Sequence, residues 1–286
     1  MDTFLEALKN FSMKDMNFEA MAKLNDQPFI ELVSFLNEEK VDIVFNALHG
    51  GNGENGVISA ILDMAGIVYT GSGFEASAVA MNKLKTKILA RSVGVRCAEE
   101  EVHKEPVHKP QKVTFPLVIK PNDAGSSVGL SILQTEEDIY EATAEALKYS
   151  DEVIIESYIP GEEYNVPVIM GEAYPIIEVN PHGVNDYKAK YMGDKTEYKV
   201  PADISFNETL RMKENAVTVY NILGLKNYAR VDFRMTPEGE VFLLEANTLP
   251  GMTASSLVPK SAKALGIDFP SLLTMIIEDA LNSKKS

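Results

Sequence analysis

The stretch Ala229–Gly251 reads ARVDFRMTPEGEVFLLEANTLPG, and no other part of the chain carries as much information. Two alternating runs, Ala229–Met235 and Glu240–Glu245, flank Thr-Pro-Glu-Gly, which predicts a β-hairpin. Alternation puts Arg230 and Asp232 on one face of the first strand, and Glu245 and Asn247 on one face at the end of the second. Two carboxylates and an amide oxygen therefore converge beside a guanidinium. Hard oxygen ligands of this kind suit Mg²⁺, which is usually held by one or two carboxylates plus substrate phosphates. The polar, glycine-bearing continuation NTLPGMT (247–253) favours a site over a hairpin edge with solvated charges.

The chain has 286 residues, enough for one large domain or two to three small ones. Its 27 basic and 42 acidic residues give a net charge of −15. That charge argues against nucleic acid or an anionic membrane as a partner, while leaving room for a local basic pocket. The single cysteine, Cys97, excludes an internal disulfide and suits a reducing cytosol. It lies in RCAEEE, where acidic neighbours oppose thiolate formation, so it is not read as a nucleophile. The N-terminal MDTFLEALKNFSMKD lacks the pattern of a signal peptide, and no apolar run reaches membrane-spanning length. The expected location is cytoplasmic.

Working outward, residues 1–40 read as helical. VDIVFNAL (41–48) reads as a buried strand, VISAILDMAG as an amphipathic helix stopped by Gly66, and IVYTG as a second strand. Strand, helix and strand within about thirty residues predict a parallel βαβ unit. SAVAMNKLKTKILARSVG (77–94) reads as one basic helix ending at Gly94. FPLVIKP (115–121) and GLSIL (129–133) are too close for a crossover helix and predict an antiparallel hairpin. TEEDIYEATAEALKYS reads as a helix N-capped by Thr135. EVIIESYI is a strand and PGEEYNVPVIM opens the next region. A helix near 207–223 precedes the opening hairpin, and another near 266–282 follows it. The fold class is α/β, with α+β parts. Boundaries near 82 and 162 divide it into 1–82, 83–162 and 163–286.

Several loops could carry chemistry. GNGENG (51–56), with Glu75 about twenty residues on, matches a dinucleotide fingerprint and raises an oxidoreductase reading. The later antiparallel hairpins oppose it. NDAGSSVG (122–129) lacks the GK[ST] of a P-loop, but its backbone and the Ser126 and Ser127 hydroxyls could approach anionic oxygens. Lys120 precedes it and could pair with a phosphate. Lys83 is a solvated lysine unless it shares a cleft with Lys120. Glu156 and Glu163 flank a Pro-Gly turn and could accept hydrogen bonds from a ribose or an adenine amine; otherwise they are surface charges. His49, His103, His108 and His182 show no zinc spacing. His49 opens a glycine loop and is the one expected near a substrate. The charged segment 183–200 reads as a lid.

In this order, HGGNGENG, YTGSG, FPLVIKP, AGSSVG, DYKAKY and ARVDF through LLEANTLPGMTASSLVPKSA resemble the D-alanine–D-alanine ligases of the ATP-grasp superfamily. The resemblance implies a βαβ substrate domain, a central antiparallel-sheet domain and a C-terminal metal-binding domain, with ATP clamped between the last two. It places Lys83 and Lys120 at the ATP phosphates, and Glu156, Tyr158, Ile159 and Glu163 at the adenosine, and counts Ser127 and Lys190 among the ATP-binding residues. It gives Asp232, Glu245 and Asn247 two Mg²⁺ ions, with Mn²⁺ as a substitute. Arg230 and Gly251 would face the acyl phosphate and the tetrahedral intermediate. Ser126 and Tyr191 would belong to a closure network. His49 and Glu54 would lie by the first amino acid, Ser256 and Leu257 by the second. The implied function is ATP-dependent peptide-bond formation between two D-alanines for peptidoglycan precursors, by a homodimer. Two other readings are a ligase with a different first amino acid and a non-catalytic nucleotide-binding homologue. The chain departs from the family pattern at Asn55, Asn82, Asn185 and Ser255. It also has a helix-like start in place of a first strand and a glutamate-bearing loop, so the N-terminal domain reads as shortened.

Overall fold

The computed structural model describes residues 29–125, 127–181 and 196–283. The expectations for residues 1–28, Ser126, His182 and the 183–195 part of the expected lid, including Lys190 and Tyr191, lie outside the described residues.

The first unit contains α1 (Phe29–Glu38), β1 (Ile43–Val44), α2 (Gly51–Glu54), α3 (Val57–Ala65) and β2 (Val68–Tyr69). β1 and β2 pair in parallel, as the βαβ reading requires. The ladder is shorter than VDIVFNAL promised, because β2 offers only two residues for pairing. Leu36, Ile58, Leu62 and Ile67 form its small core. GNGENG forms α2 rather than an open phosphate loop. Gly53 is needed there for packing, since a Cβ would sit 2.1 Å from the Leu48 carbonyl oxygen.

The expected single basic helix is two, α4 (Phe74–Met81) and α5 (Lys83–Ser92). Asn82 breaks it: its backbone is extended, and its side chain accepts from the Lys85 N–H at 2.9 Å. That is an N-cap, a position asparagine favours.

A four-stranded sheet of order β3-β6-β4-β5 follows, from β3 (Glu100–His103), β4 (Leu117–Pro121), β5 (Ser131–Leu133) and β6 (Val153–Ser157). β4 and β5 form the expected antiparallel hairpin. One face, with Leu117, Ile119, Val153 and Ile155, packs on α6 (Ile139–Ala146). α6 begins at an Asp138 N-cap, later than the Thr135 expected.

The larger sheet has the order β10-β9-β7-β11-β12, with β8 on β7. Its strands are β7 (Glu162–Ile169), β8 (Glu172–Ala173), β9 (Ile177–Pro181), β10 (Thr196–Lys199), β11 (Tyr228–Met235) and β12 (Val241–Asn247). Part of the expected lid, Thr196–Lys199, is thus an edge strand paired with β9. One face buries Tyr164, Val166, Val231, Phe233 and Leu243 against α7 (Phe206–Ile222), α4 and α5. A capping box between Ser205 and Glu208 starts α7. α8 (Leu257–Ala264) and α9 (Phe269–Ser283) cover the end of the sheet near Ile169 and Tyr228.

Candidate active site

The opening hairpin places its polar residues in cross-strand register. Arg230 pairs with Asn247, and Asp232 with Glu245. A register shift then makes Leu244 an extra residue opposite the Asp232–Phe233 step. This bulge decides the site. Val241 and Leu243 face the core, and uninterrupted alternation would send Glu245 and Asn247 the same way. One extra residue turns them to the opposite face, beside Arg230 and Asp232.

Arg230 grips Asp232 with both ends of its guanidinium, at 2.7 Å from Nε and 2.8 Å from the second nitrogen. Asn247 donates to Asp232 Oδ2 at 2.8 Å. Burial pushes the Asp232 carboxyl above the ordinary range; Arg230 opposes this, while Glu245 and Glu163 add to it. Burial also opposes ionisation of Glu245, but Lys83, Lys120 and Arg230 outweigh it and hold that carboxyl low. Negative charge is thus crowded into a partly closed space, as a cation site requires.

Among the described residues no group of three His, Cys, Asp or Glu side chains is arranged around a metal position. The set is two carboxylates and one amide oxygen. It fits Mg²⁺, which takes few protein ligands and completes its shell with waters and phosphate oxygens.

Lys83 opens α5. An ammonium is disfavoured at a helix N-terminus, and here other contacts hold it. Its backbone N–H donates to the Asn122 carbonyl at 2.9 Å, and Leu84 N–H donates to Asn122 Oδ1 at 3.0 Å. Lys83 Nζ donates to the Ala124 carbonyl at 2.6 Å and lies 3.5 Å from Glu245. Burial lowers its pKa, with Glu245 opposing and Lys120 reinforcing the shift. The solvated reading of Lys83 therefore fails: it is buried, and Lys120 is close enough to act on it.

Lys120 Nζ donates to Glu156 Oε1 at 2.6 Å. The other Glu156 oxygen takes Lys87. Glu156 is 3 % exposed, so the surface-charge reading also fails. Burial would raise its pKa, but Lys120 and Lys87 draw it down to about 2.

Tyr158 and Ile159 lie in the link from β6 to β7. Tyr158 stacks under the Arg234 guanidinium at 4.9 Å, and its N–H donates to Pro116 O at 3.0 Å. Glu163 is in register with Arg234, and Asn165 with Asp232. Asn165 Nδ2 and Arg234 Nε are buried without a hydrogen-bond partner. Buried orphan donors are rare, and these two lie on the strand face that carries Asp232. Ser127 holds a positive φ of 57° in the loop after β4.

The first unit closes the cleft through Glu54. Gly50 N–H donates to Glu54 Oε2 at 3.0 Å, and Leu249 N–H to Oε1 at 3.4 Å. His49 Nδ1 lies 3.1 Å from the Leu249 carbonyl and 3.5 Å from Glu54. HGGNGENG is thereby tied to the loop after β12. In that loop Gly251 passes Ser256 closely, since a Cβ there would lie 3.0 Å from the hydroxyl. Ser256 Oγ accepts from Thr253 N–H at 3.0 Å and precedes Leu257 at the start of α8. A cleft is lined by Glu54, Lys83, Gly125, Glu245, Asn247 and Thr248, among others.

Of the sequence-predicted residues, Glu54, Lys83, Glu245 and Asn247 line this cleft, and Arg230 and Asp232 lie opposite Asn247 and Glu245 in the hairpin register. Sequence reasoning missed Lys87, Asn165 and Arg234. Lys87 had a signal, since it follows Lys83 by four residues on a basic helix and so shares its face. Burial pushes the Cys97 thiol up to about 11; Lys87 and Arg91 oppose this, and the acidic Glu100 and Glu156 add to it.

Comparison with known proteins agrees with this architecture. The family profile "D-ala D-ala ligase C-terminus" matches residues 89–278, and "D-ala D-ala ligase N-terminus" matches residues 7–72. The D-alanine–D-alanine ligase of Aquifex aeolicus is 40 % identical over 250 residues, covering 86 % of this chain and 85 % of its own length. That of Ectopseudomonas mendocina is 38 % identical over 253 residues, covering 87 % and 81 %. The crystal structure of Bacillus anthracis D-alanine–D-alanine ligase complexed with ATP superposes with a TM-score of 0.77 at 30 % identity, covering 91 % of this chain and 84 % of that one. The VanG D-Ala:D-Ser ligase of Enterococcus faecalis gives 0.74 at 32 % identity, covering 84 % and 73 %. With two profile matches that together span most of its length, and a relative 40 % identical over 86 % of it, this chain belongs to the D-alanine–D-alanine ligase family.

Proposed function

We propose that this chain is an ATP-dependent ligase that joins two D-alanines into D-alanyl-D-alanine for peptidoglycan precursors. The observation that carries the reading is the cross-strand set Arg230, Asp232, Glu245 and Asn247, facing a cleft that also holds Lys83.

A carboxylate is a poor electrophile, so the first D-alanine must be activated by phosphoryl transfer before an amine can attack it. Lys83 and Lys120 would balance the nucleotide phosphates. Asp232, Glu245 and Asn247 would hold Mg²⁺, which supplies charge neutralisation on the transferring phosphoryl group. Ser127 and the backbone of its loop would cover phosphate oxygens. Tyr158, Ile159 and Glu163 would receive the adenosine. Arg230, with its charge secured by Asp232, and the N–H groups near Gly251 would stabilise the oxyanion formed on amine attack. His49 and Glu54 would orient the first amino acid, and Ser256 and Leu257 the second. Ser126, Lys190 and Tyr191 complete the site in this reading as closure and phosphate groups. An unpaired cysteine and dependence on ATP support a cytosolic setting.

The test is phosphate release across a panel of D- and L-amino acids and D-lactate. Turnover that needs D-alanine supports the reading. ATP binding without turnover under all pairings overturns it in favour of a nucleotide-binding homologue.

A further inference from the structure

Lys87 is 1 % exposed, yet its ammonium contacts two carboxylates, Glu156 and Glu100. Register explains the meeting. Glu156 on β6 is opposite Glu100 on β3 and Val118 on β4, so Glu100, Glu156 and Lys120 share one face of the four-stranded sheet. Lys87 reaches that face from α5, one turn beyond Lys83. Arg91, a further turn on, donates to Glu100 Oε1 at 2.7 Å. Three cations and two anions thus form one chain from Arg91 to Lys120, two residues before Asn122, which holds the start of α5 at Lys83 in the cleft lining. A buried ion group of this kind is seldom more stable than an apolar cluster of the same volume. Its retention calls for a reason other than stability.

We infer that Lys87 is a positioning residue for the nucleotide-phosphate site, holding one oxygen of Glu156 so that the other orients Lys120 without cancelling its charge. With Lys87 present, Glu156 is shared between two ammoniums, and Lys120 keeps net positive charge near Lys83. Without it, Glu156 and Lys120 form a closed neutral pair. Lys87 touches no reacting atom itself. The inference rests on the reading of the cleft as an ATP site.

The experiment measures ATP–Mg²⁺ affinity by calorimetry, together with KM for ATP, KM for D-alanine and kcat, in wild type, K87M, K87Q and K87R. K87M and K87Q should weaken ATP binding by about ten-fold or more, the scale set by losing one charge near a triphosphate in a partly buried site. KM for D-alanine should stay within about two-fold in both, and K87R should restore ATP affinity. Unchanged ATP affinity in K87M and K87Q overturns the inference, as does a fall in kcat that only follows the folded fraction. If K87R alone folds, Lys87 serves the fold and the inference fails. Wild type that binds ATP but releases no phosphate with D-alanine refutes the ligase reading and leaves the calorimetric comparison valid.

Discussion

Replacing Gly161 by alanine tests the proposal that the β6–β7 link seats the nucleotide. Gly161 has φ 108°, and a Cβ there would fall 1.9 Å from the Met235 carbonyl oxygen, 2.9 Å from its carbon and 3.1 Å from Thr236 Cα. Ordinary contact begins near 3.4 Å, so the link must move by about 1.5 Å against the backbone of β11. Backbone strain contributes roughly 1–3 kcal/mol, and overpacking a further 1–3 kcal/mol or so. The expected loss is about 2–6 kcal/mol, a large part of the roughly 5–15 kcal/mol of a typical domain. Tyr158 and Ile159 ride on the same link, so the KM for ATP should rise by about ten-fold or more, given that displacements of about 1 Å have been worth up to 10²-fold. Gly171→Ala is the control. Its φ is 82° and nothing lies within 4 Å of the added methyl, so it should cost about 1–2 kcal/mol and leave the KM for ATP alone. Urea unfolding and steady-state kinetics read both variants. G161A within about 1 kcal/mol of wild type, with an unchanged KM for ATP, would refute the reasoning.

Glu245→Gln should lower kcat by about 10³-fold or more, since it removes charge neutralisation worth several kcal/mol. The side chain is 32 % exposed and the substitution keeps its shape, so thermal unfolding should stay near wild type; near-normal turnover would sink the metal assignment. Glu156 has a folded pKa drawn from 4.5 to about 2. Its contribution to stability is therefore complete above 4.5 and lost as pH falls toward 2, and urea titrations should show that acid limb disappear in Glu156→Gln. Chelating divalent ions should abolish turnover and Mn²⁺ should restore it; activity in excess chelator would contradict an oxygen-ligated metal site. Tyr191→Phe should shift products from D-alanine plus D-lactate toward the ester, because a phenyl ring cannot hydrogen-bond; an unchanged product ratio would remove Tyr191 from acceptor choice.

Strand alternation and turn residues made the hairpins and the βαβ unit legible, because both signals are local. The bulge at Leu244 was not, since an extra residue is defined by the pairing of two strands and FLLEAN reads as uninterrupted. The break at Asn82 was hidden for a similar reason: Met-Asn-Lys-Leu fits a helix interior until Asn122 draws the new helix start toward the loop after β4. Lys83 and Lys120 could be nominated separately, but their common cleft depends on how α5 lies against two sheets. Glu156 shows the limit best. Its spacing from a Pro-Gly turn marked it for a nucleotide, while its contacts with Lys87 and Lys120 come from strand register and an approaching helix.

The most direct measurement is mass spectrometry, with parallel phosphate determination, on purified enzyme given ATP, Mg²⁺ and D-alanine alone. D-alanyl-D-alanine should accumulate with one phosphate released per dipeptide. Phosphate without dipeptide, or neither product from enzyme that binds ATP, would contradict the assignment of the hairpin cleft as a D-alanine–D-alanine ligase site.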